Sequence, residues 1–293
     1  MNDVSLRLMS AGVLRSELSF RALRMARGVP HEATYGGTPS VLFQASEGGH
    51  GNFLAGSYRA IVERPEWAAR LGKAYCADAH VPRRWDRRRA ELDCANSSDA
   101  LLMNVFCYPG VMEGWALCAL LGVERGVVPE FGYKPRIELG AWRGKKPLVD
   151  RTEVDMRLGS LLVEAKLTET GFQTAPAERV LRYPGVDEVF CVEELPVTGG
   201  DGRPVMFASY QLIRGVMAAR ACGGSFALLC DARRVDLIER WFRVMRAVRS
   251  CEMRSRLALV TWQEIAAVVP AAVAGFLEEK YGIKGSESAC CAR

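Results

Sequence analysis

Residues 152–169, TEVDMRLGSLLVEAKLTE, constrain this chain more than any other stretch. Two short runs of alternating polarity flank Gly159-Ser160, and a two-residue loop that begins with glycine suits a type II′ turn between antiparallel strands. With that turn, Leu158 faces Leu161, Arg157 faces Leu162 and Met156 faces Val163; Asp155 then lies opposite Glu164, and Glu153 opposite Lys166. Side chains alternate across a strand, so Val154, Met156, Leu158, Leu161, Val163, Ala165 and Leu167 share an apolar face. Glu153, Asp155, Arg157, Leu162, Glu164 and Lys166 share the other. A slip of one residue would flip a strand and scatter the cluster.

Opposed residues on paired strands place their Cβ atoms about 4.5–5.5 Å apart, and like charges there repel. Asp155 against Glu164 therefore needs a cation. A hard divalent ion supplies one, with one or two carboxylates plus waters and a phosphate as oxygen ligands. The competing reading is a solvated hairpin in which Lys166 and Arg157 neutralise three acids. Glu-x-Lys alone favours the solvated hairpin. The paired aspartate, the apolar opposite face and the αβ pattern that follows favour a site.

The 293 residues allow one elaborated domain or a core with an appendage. With 49% hydrophobic and 25% charged residues, the chain has the composition of an ordinary globular protein rather than a disordered one. A net charge of +5 permits a nucleic-acid partner without demanding one. Only seven of the 39 basic residues are lysines, so Lys166 stands out beside its carboxylates as a compact ammonium suited to a phosphate or a water. Ten cysteines include no C-x-x-C pair, and Cys107, Cys118, Cys191, Cys222 and Cys230 read as small buried hydrophobes in apolar segments. Arginines interrupt the first apolar stretch and no run of about 18 apolar residues occurs, so a cytoplasmic, reduced protein without a membrane span is expected.

Along the chain, residues 1–28 read as basic amphipathic helix, followed by a loop rich in glycine, proline and histidine. Residues 53–73 read as helical with a break at Pro65. In residues 81–92, Arg83, Arg84, Arg87, Arg88 and Arg89 surround Trp85; a solvated helix face is the preferred reading, a phosphate-contacting segment the alternative. Ser98 suits an N-cap for a helix over residues 99–108, and residues 111–123 resume helix. Residues 131–142 suggest an irregular strand and residues 186–195 another. Then come a helix (208–222), a buried strand (225–231), an amphipathic helix with a stripe of Val235, Ile238, Trp241, Phe242, Met245 and Val248, a last strand (257–262), and a helix interrupted at Pro270. Such alternation indicates a mixed α/β sheet with helices on both faces.

In these residues the chain resembles the PD-(D/E)XK nuclease superfamily. Asp155 in EVDMRLG matches the first acid of its signature, and Glu164-Ala165-Lys166 in LLVEAKL matches the (D/E)-x-K triplet. Val154 stands where proline is common. The resemblance covers roughly residues 96–265 and implies a restriction-endonuclease-like core, an antiparallel meander with added strands flanked by helices. The expected layout is a mainly helical extension over 1–95, the core over 96–284 and a flexible tail over 285–293. Members also place an acid in the preceding helix, for which Asp99 is the candidate and Glu113 the reserve. Gln211 in SYQLIRG looks similar to a glutamine that follows the third strand in some members; a hydrogen-bonded residue at a helix start is the equal alternative.

The implied chemistry is metal-assisted hydrolysis of a DNA phosphodiester. By resemblance, Asp155, Glu164, the Ala165 carbonyl and Asp99 would hold Mg²⁺ or Mn²⁺, while Lys166 would orient or help deprotonate a water and Gln211 would orient substrate or metal water. Glu169 and Arg157 read as surface salt-bridge residues. DNA is the expected partner, in restriction or another defence system, with a homodimer left open. A catalytically silent DNA-binding or interaction protein on the same fold is the rival, and an unrelated α/β protein the third reading. Cys76 and His80 have C-x-x-x-H spacing, but three histidines and no C-x-x-C disfavour a structural zinc. GGHGNFLAGS lacks a Walker lysine, and no Gly-x-Ser-x-Gly elbow occurs.

Overall fold

The computed structural model describes residues 8–34, 40–74, 90–141, 144, 146, 148–200 and 202–285. The arginine run at 83–89, the Cys76/His80 pair and the tail beyond Gly285 lie outside them. Glu130–Tyr133 (β1), Val154–Leu158 (β2) and Leu161–Ala165 (β3) form an antiparallel meander. The Gly159-Ser160 turn holds the expected register, with Leu158 paired to Leu161, Arg157 to Leu162 and Met156 to Val163. Gly159 takes a φ of 58°, which only a residue without Cβ adopts at no cost. Ser225–Cys230 (β4) joins β3 in parallel and Leu257–Thr261 (β5) joins β4 in parallel, giving the order β5-β4-β3-β2-β1.

Flanking helices are Ala11–Met25 (α1), Ser98–Phe106 (α2), Tyr210–Ala221 (α3), Val235–Ala247 (α4), Trp262–Val268 (α5) and Ala271–Tyr281 (α6). Parallel strands need long crossovers, and α3 and α4 supply them. One apolar cluster joins Met156, Leu158, Leu161 and Val163 to Leu14 and Leu18 of α1, Leu101 and Val105 of α2, and Leu277 of α6. A second joins Leu162, Phe226 and Leu228 to Ile213 and Val216 of α3 and Trp241 and Val244 of α4. Every residue of β3 is consequently buried. The expected half-apolar hairpin is thus covered on both faces, and Leu162, the odd member of its charged set, is the residue that packs under α3 and α4. Burying a leucine of this kind contributes about 1.5–3 kcal/mol. This is the restriction-endonuclease-like arrangement of a mixed sheet between helices.

Several elements differ from expectation. Residues 186–195 form no strand but a helical turn, Val186–Val189, and a 3₁₀ turn, Val192–Glu194. Their buried residues Val186, Val189 and Phe190 recur at intervals of three and four, a helical spacing, after Gly185 at φ 67°. In α4 the buried stripe is Leu237, Trp241, Val244 and Ala247, rotated from the one expected, while Phe242 faces outward at 59% exposure. Ser97, not Ser98, caps α2 by accepting the Ala100 N–H. Cys107, Cys118 and Cys230 are buried, but Cys191, which precedes a 3₁₀ turn instead of lying in a strand, and Cys222, which ends α3, are exposed.

Within the first 95 residues, helical segments Ala55–Glu63 and Pro65–Ala68 are separated by extended Arg64, the break that Pro65 requires. Two short hairpins accompany them, His31–Thr34 with Ser40–Phe43 and Ala45–Ser46 with Gly49–His50. Leu14 and Leu18 belong to the main core. No helix of the described residues is long and apolar enough to cross a membrane.

Candidate active site

The open end of the β2–β3 hairpin borders a cleft of about 920 Å³ that Asp99, Asp155, Glu164, Ala165, Lys166 and Gln211 all line. The strands splay there. A continued ladder would give the Ala165 N–H to the backbone of Val154, but Asp155 Oδ2 accepts it at 2.8 Å. Val154 packs instead with the second apolar cluster, away from Met156. Glu153 likewise does not meet Lys166; it is held by Arg70 at 2.8 Å and lies 3.4 Å from Lys73. Arg157 turns outward to Glu130 at 2.6 Å.

Glu164 is 2% exposed, and its Oε1 accepts two donors, Lys166 Nζ at 2.7 Å and Gln211 Nε2 at 2.8 Å. Lys166 reaches it because residues two apart on a strand share a face. Gln211 reaches it because α3 starts over the sheet, with the Tyr210 and Gln211 N–H groups bonded to the carbonyls of Gln173 and Phe172. Ser209 and Gln173 both have φ of 58°, the two non-glycine residues with positive φ among those described, and both line the cleft. Such conformations cost about 1–3 kcal/mol each and collect where a site over-determines the backbone.

The electrostatics are those of crowded acids. Burial, then the neighbouring Glu164 and Asp99, push the Asp155 carboxyl well above its ordinary range, against the pull of Lys166 and the Ala165 N–H. Burial would lower Lys166, yet Glu164, Asp155 and Glu169 outweigh it and keep the ammonium protonated. Among the described residues the cleft lining carries four cations (Arg15, Lys73, Lys166, Arg240) and five acids (Glu91, Asp99, Asp155, Glu164, Glu169).

Asp155, Glu164 and the Ala165 carbonyl are hard oxygen donors of the kind Mg²⁺ takes, leaving positions for waters and phosphate. No group of three or more His, Cys, Asp and Glu that could hold a metal forms among the described residues. Asp99 is not drawn into such a group. Its Oδ2 accepts Arg70 Nη2 at 2.7 Å and Lys73 Nζ at 2.6 Å. Glu113, the reserve acid, is exposed and lies against Gly126, outside the cleft lining. Glu169 is no surface partner: it accepts Ser98 Oγ at 2.6 Å and the Leu167 N–H at 2.7 Å.

Sequence reasoning missed Arg70 and Lys73. Lysine is so scarce in this chain that Lys73 carried the same compositional signal as Lys166, but nothing local tied it to Asp99. A model of the family described as Restriction Endonuclease associating with ARP matches residues 24–282. No curated protein and no solved structure matches the chain.

Proposed function

The chain belongs to the family described as restriction endonuclease associating with ARP, and on that premise we propose that it hydrolyses DNA phosphodiester bonds with Mg²⁺ or Mn²⁺, in restriction or another defence system. The observation that carries this reading is Glu164, buried and clasped by Lys166 and Gln211 beside Asp155 in one cleft. Asp155, Glu164 and the Ala165 carbonyl would hold the ion, which when bound polarises a phosphate and lowers the pKa of a water.

The protein's own groups do the rest. Gln211 fixes the free rotor of Glu164, so that one carboxylate oxygen is engaged by donors and the other is left for the cleft. Lys166 orients the attacking water and offsets charge that develops on the phosphate oxygens. The strained backbone at Gln173 and Ser209 holds the start of α3, and therefore Gln211, against the sheet.

The rival is a silent binding protein on the same fold. Burying an ammonium and a carboxylate rarely adds net stability over an apolar pair of similar shape. Lys166 and Glu164, with side chains 7% and 3% exposed, are therefore a poor structural choice and a reasonable catalytic one. The test is cleavage of duplex, single-stranded and modified DNA with Mg²⁺, Mn²⁺ or EDTA. Metal-dependent nicking that Lys166→Ala abolishes supports the reading; equal activity in the variant and the parent rejects it.

A further inference from the structure

Two cations hold Asp99, and only one of them borders the cleft. Arg70 passes over β1 through the gap at Gly132, where an added Cβ would lie 2.1 Å from Arg70 Nη1, and it ties Asp99 to Glu153. Arg70 is absent from the cleft lining, whereas Lys73 lines the cleft with its side chain 26% exposed. Lys73 is also well placed by its backbone. Its N–H bonds to the Arg70 carbonyl at 2.9 Å, its carbonyl accepts the Glu91 N–H at 2.7 Å, and Ala74 bridges Ala90. Upstream, Trp67 docks the segment on the core by donating to the Pro129 carbonyl at 2.9 Å and packing edge-on against Phe131.

We infer that Lys73 is a DNA-phosphate contact of the cleft and that Asp99 is the anchor aiming it, not a metal ligand. This rests on the nuclease reading of the cleft. Asp99 already has two cations within 2.7 Å on one oxygen, so a divalent ion there would have to displace them. Asp155 has no ion pair among the described residues, and Glu164 has one, with Lys166. Lys166 thus sits on Glu164 and Lys73 on Asp99, each holding a different acid of the cleft. A polyanion that enters among the five acids of the described lining meets repulsion except where such point charges stand, and a lysine ammonium suits that contact. The family match begins at residue 24, so the segment that delivers Lys73 lies inside it.

The test uses the full chain in two arms. Duplex DNA binding is followed by fluorescence anisotropy in EDTA across a salt series. Lys73→Gln should weaken binding and reduce the slope of log K against log salt by about 0.9, one phosphate contact, while Lys73→Arg keeps both. Mn²⁺ binding is followed by calorimetry without DNA. Asp99→Asn should stay within about twofold of the parent, while Asp155→Asn loses the ion. Asp99→Asn should also weaken duplex binding as Lys73→Gln does, which keeps the first arm readable if Lys73→Gln does not fold. A parental salt slope in Lys73→Gln, or loss of Mn²⁺ from Asp99→Asn as from Asp155→Asn, overturns the inference alone. A parent protein that binds neither Mn²⁺ nor duplex overturns the nuclease reading and this inference with it.

Discussion

Asp155 Oδ2 accepts the Ala165 N–H at 2.8 Å, so a side chain takes a ladder position that a backbone carbonyl would fill in an unbroken hairpin. The bond orients the carboxylate into the cleft and parts the strands beside it. It also holds an acid among acids, and the metal-free fold bears that cost.

Asp155→Asn keeps an acceptor for the Ala165 N–H and removes the charge. It should stabilise the metal-free protein by about 1 kcal/mol, the usual yield of relieving one strained functional site. The folded carboxyl sits above its ordinary 3.8, so the unfolded chain loses its proton first and stability falls as pH rises through that window. The gain from Asp155→Asn should therefore be larger in neutral than in acid buffer, read by calorimetric Tm. The rise in Tm that Mn²⁺ gives the parent should vanish in the variant.

Lys166→Ala removes the cation from a buried pair and leaves Glu164 with Gln211 alone. Metal-dependent cleavage should fall by about 10²–10³-fold or more, the scale for losing one charge-stabilising donor. Single-turnover rates at saturating metal separate this from weaker metal binding. A loss confined to metal affinity would show that Lys166 only counters charge.

Gln211→Ala removes one of the two donors on Glu164 Oε1 without changing the charge of the cleft. Its expected effect is a fall in kcat of about tenfold, with the duplex salt slope unchanged. Gln211→Glu sets a second carboxylate against Glu164 Oε1 and should lower metal-free Tm, with Mn²⁺ restoring part of the loss.

Lys280, outside the cleft lining, gives a separate pH test. It is 1% exposed, donates to the Asn52 carbonyl at 2.6 Å and to Asn52 Oδ1, and burial holds its pKa well below 10.5. Above 10.5 both folded and unfolded chains are neutral there. As pH falls below that value the unfolded chain takes a proton the folded one does not, so stability declines until the depressed value is passed. Lys280→Met should flatten this slope, measured by urea denaturation from about pH 7 to about pH 10. An unchanged slope would mean that Lys280 is charged in the fold.

Gly132→Ala meets two obstacles, a φ of 66° and Arg70 Nη1 at 2.1 Å from the new Cβ. Gly159→Ala meets a φ of 58° but only Val127, at 3.6 Å. Both should lose about 1–3 kcal/mol to backbone strain. Gly132→Ala should lose more and should also weaken duplex binding, because Arg70 and Lys73 share Asp99.

Much of the site was legible because its rules are local. The Gly159-Ser160 turn and two-residue alternation placed Asp155 near Glu164 and put Lys166 on the face of Glu164. Both follow from chain neighbours, whatever packs above them. The mixed α/β class also followed from alternating helix and strand, though the order of the strands did not. What lies over that face did not. Leu162 looked like an exception on a charged face until α3 and α4 covered it, and the buried stripe of α4 was settled by Leu237 and Val244 meeting the sheet, not by hydrophobicity, which Phe242 also has.

The sequence by itself determined the hairpin register and the acid–acid–lysine cluster, because a tight turn leaves paired strands few alternatives. Only the tertiary structure decided that Gln211, 47 residues from Glu164, clasps its carboxylate and that Lys73, 26 residues from Asp99, claims the helix acid. Contacts at such separations depend on where whole elements dock. Docking is set by the summed burial of two cores, and no periodicity along the chain records it.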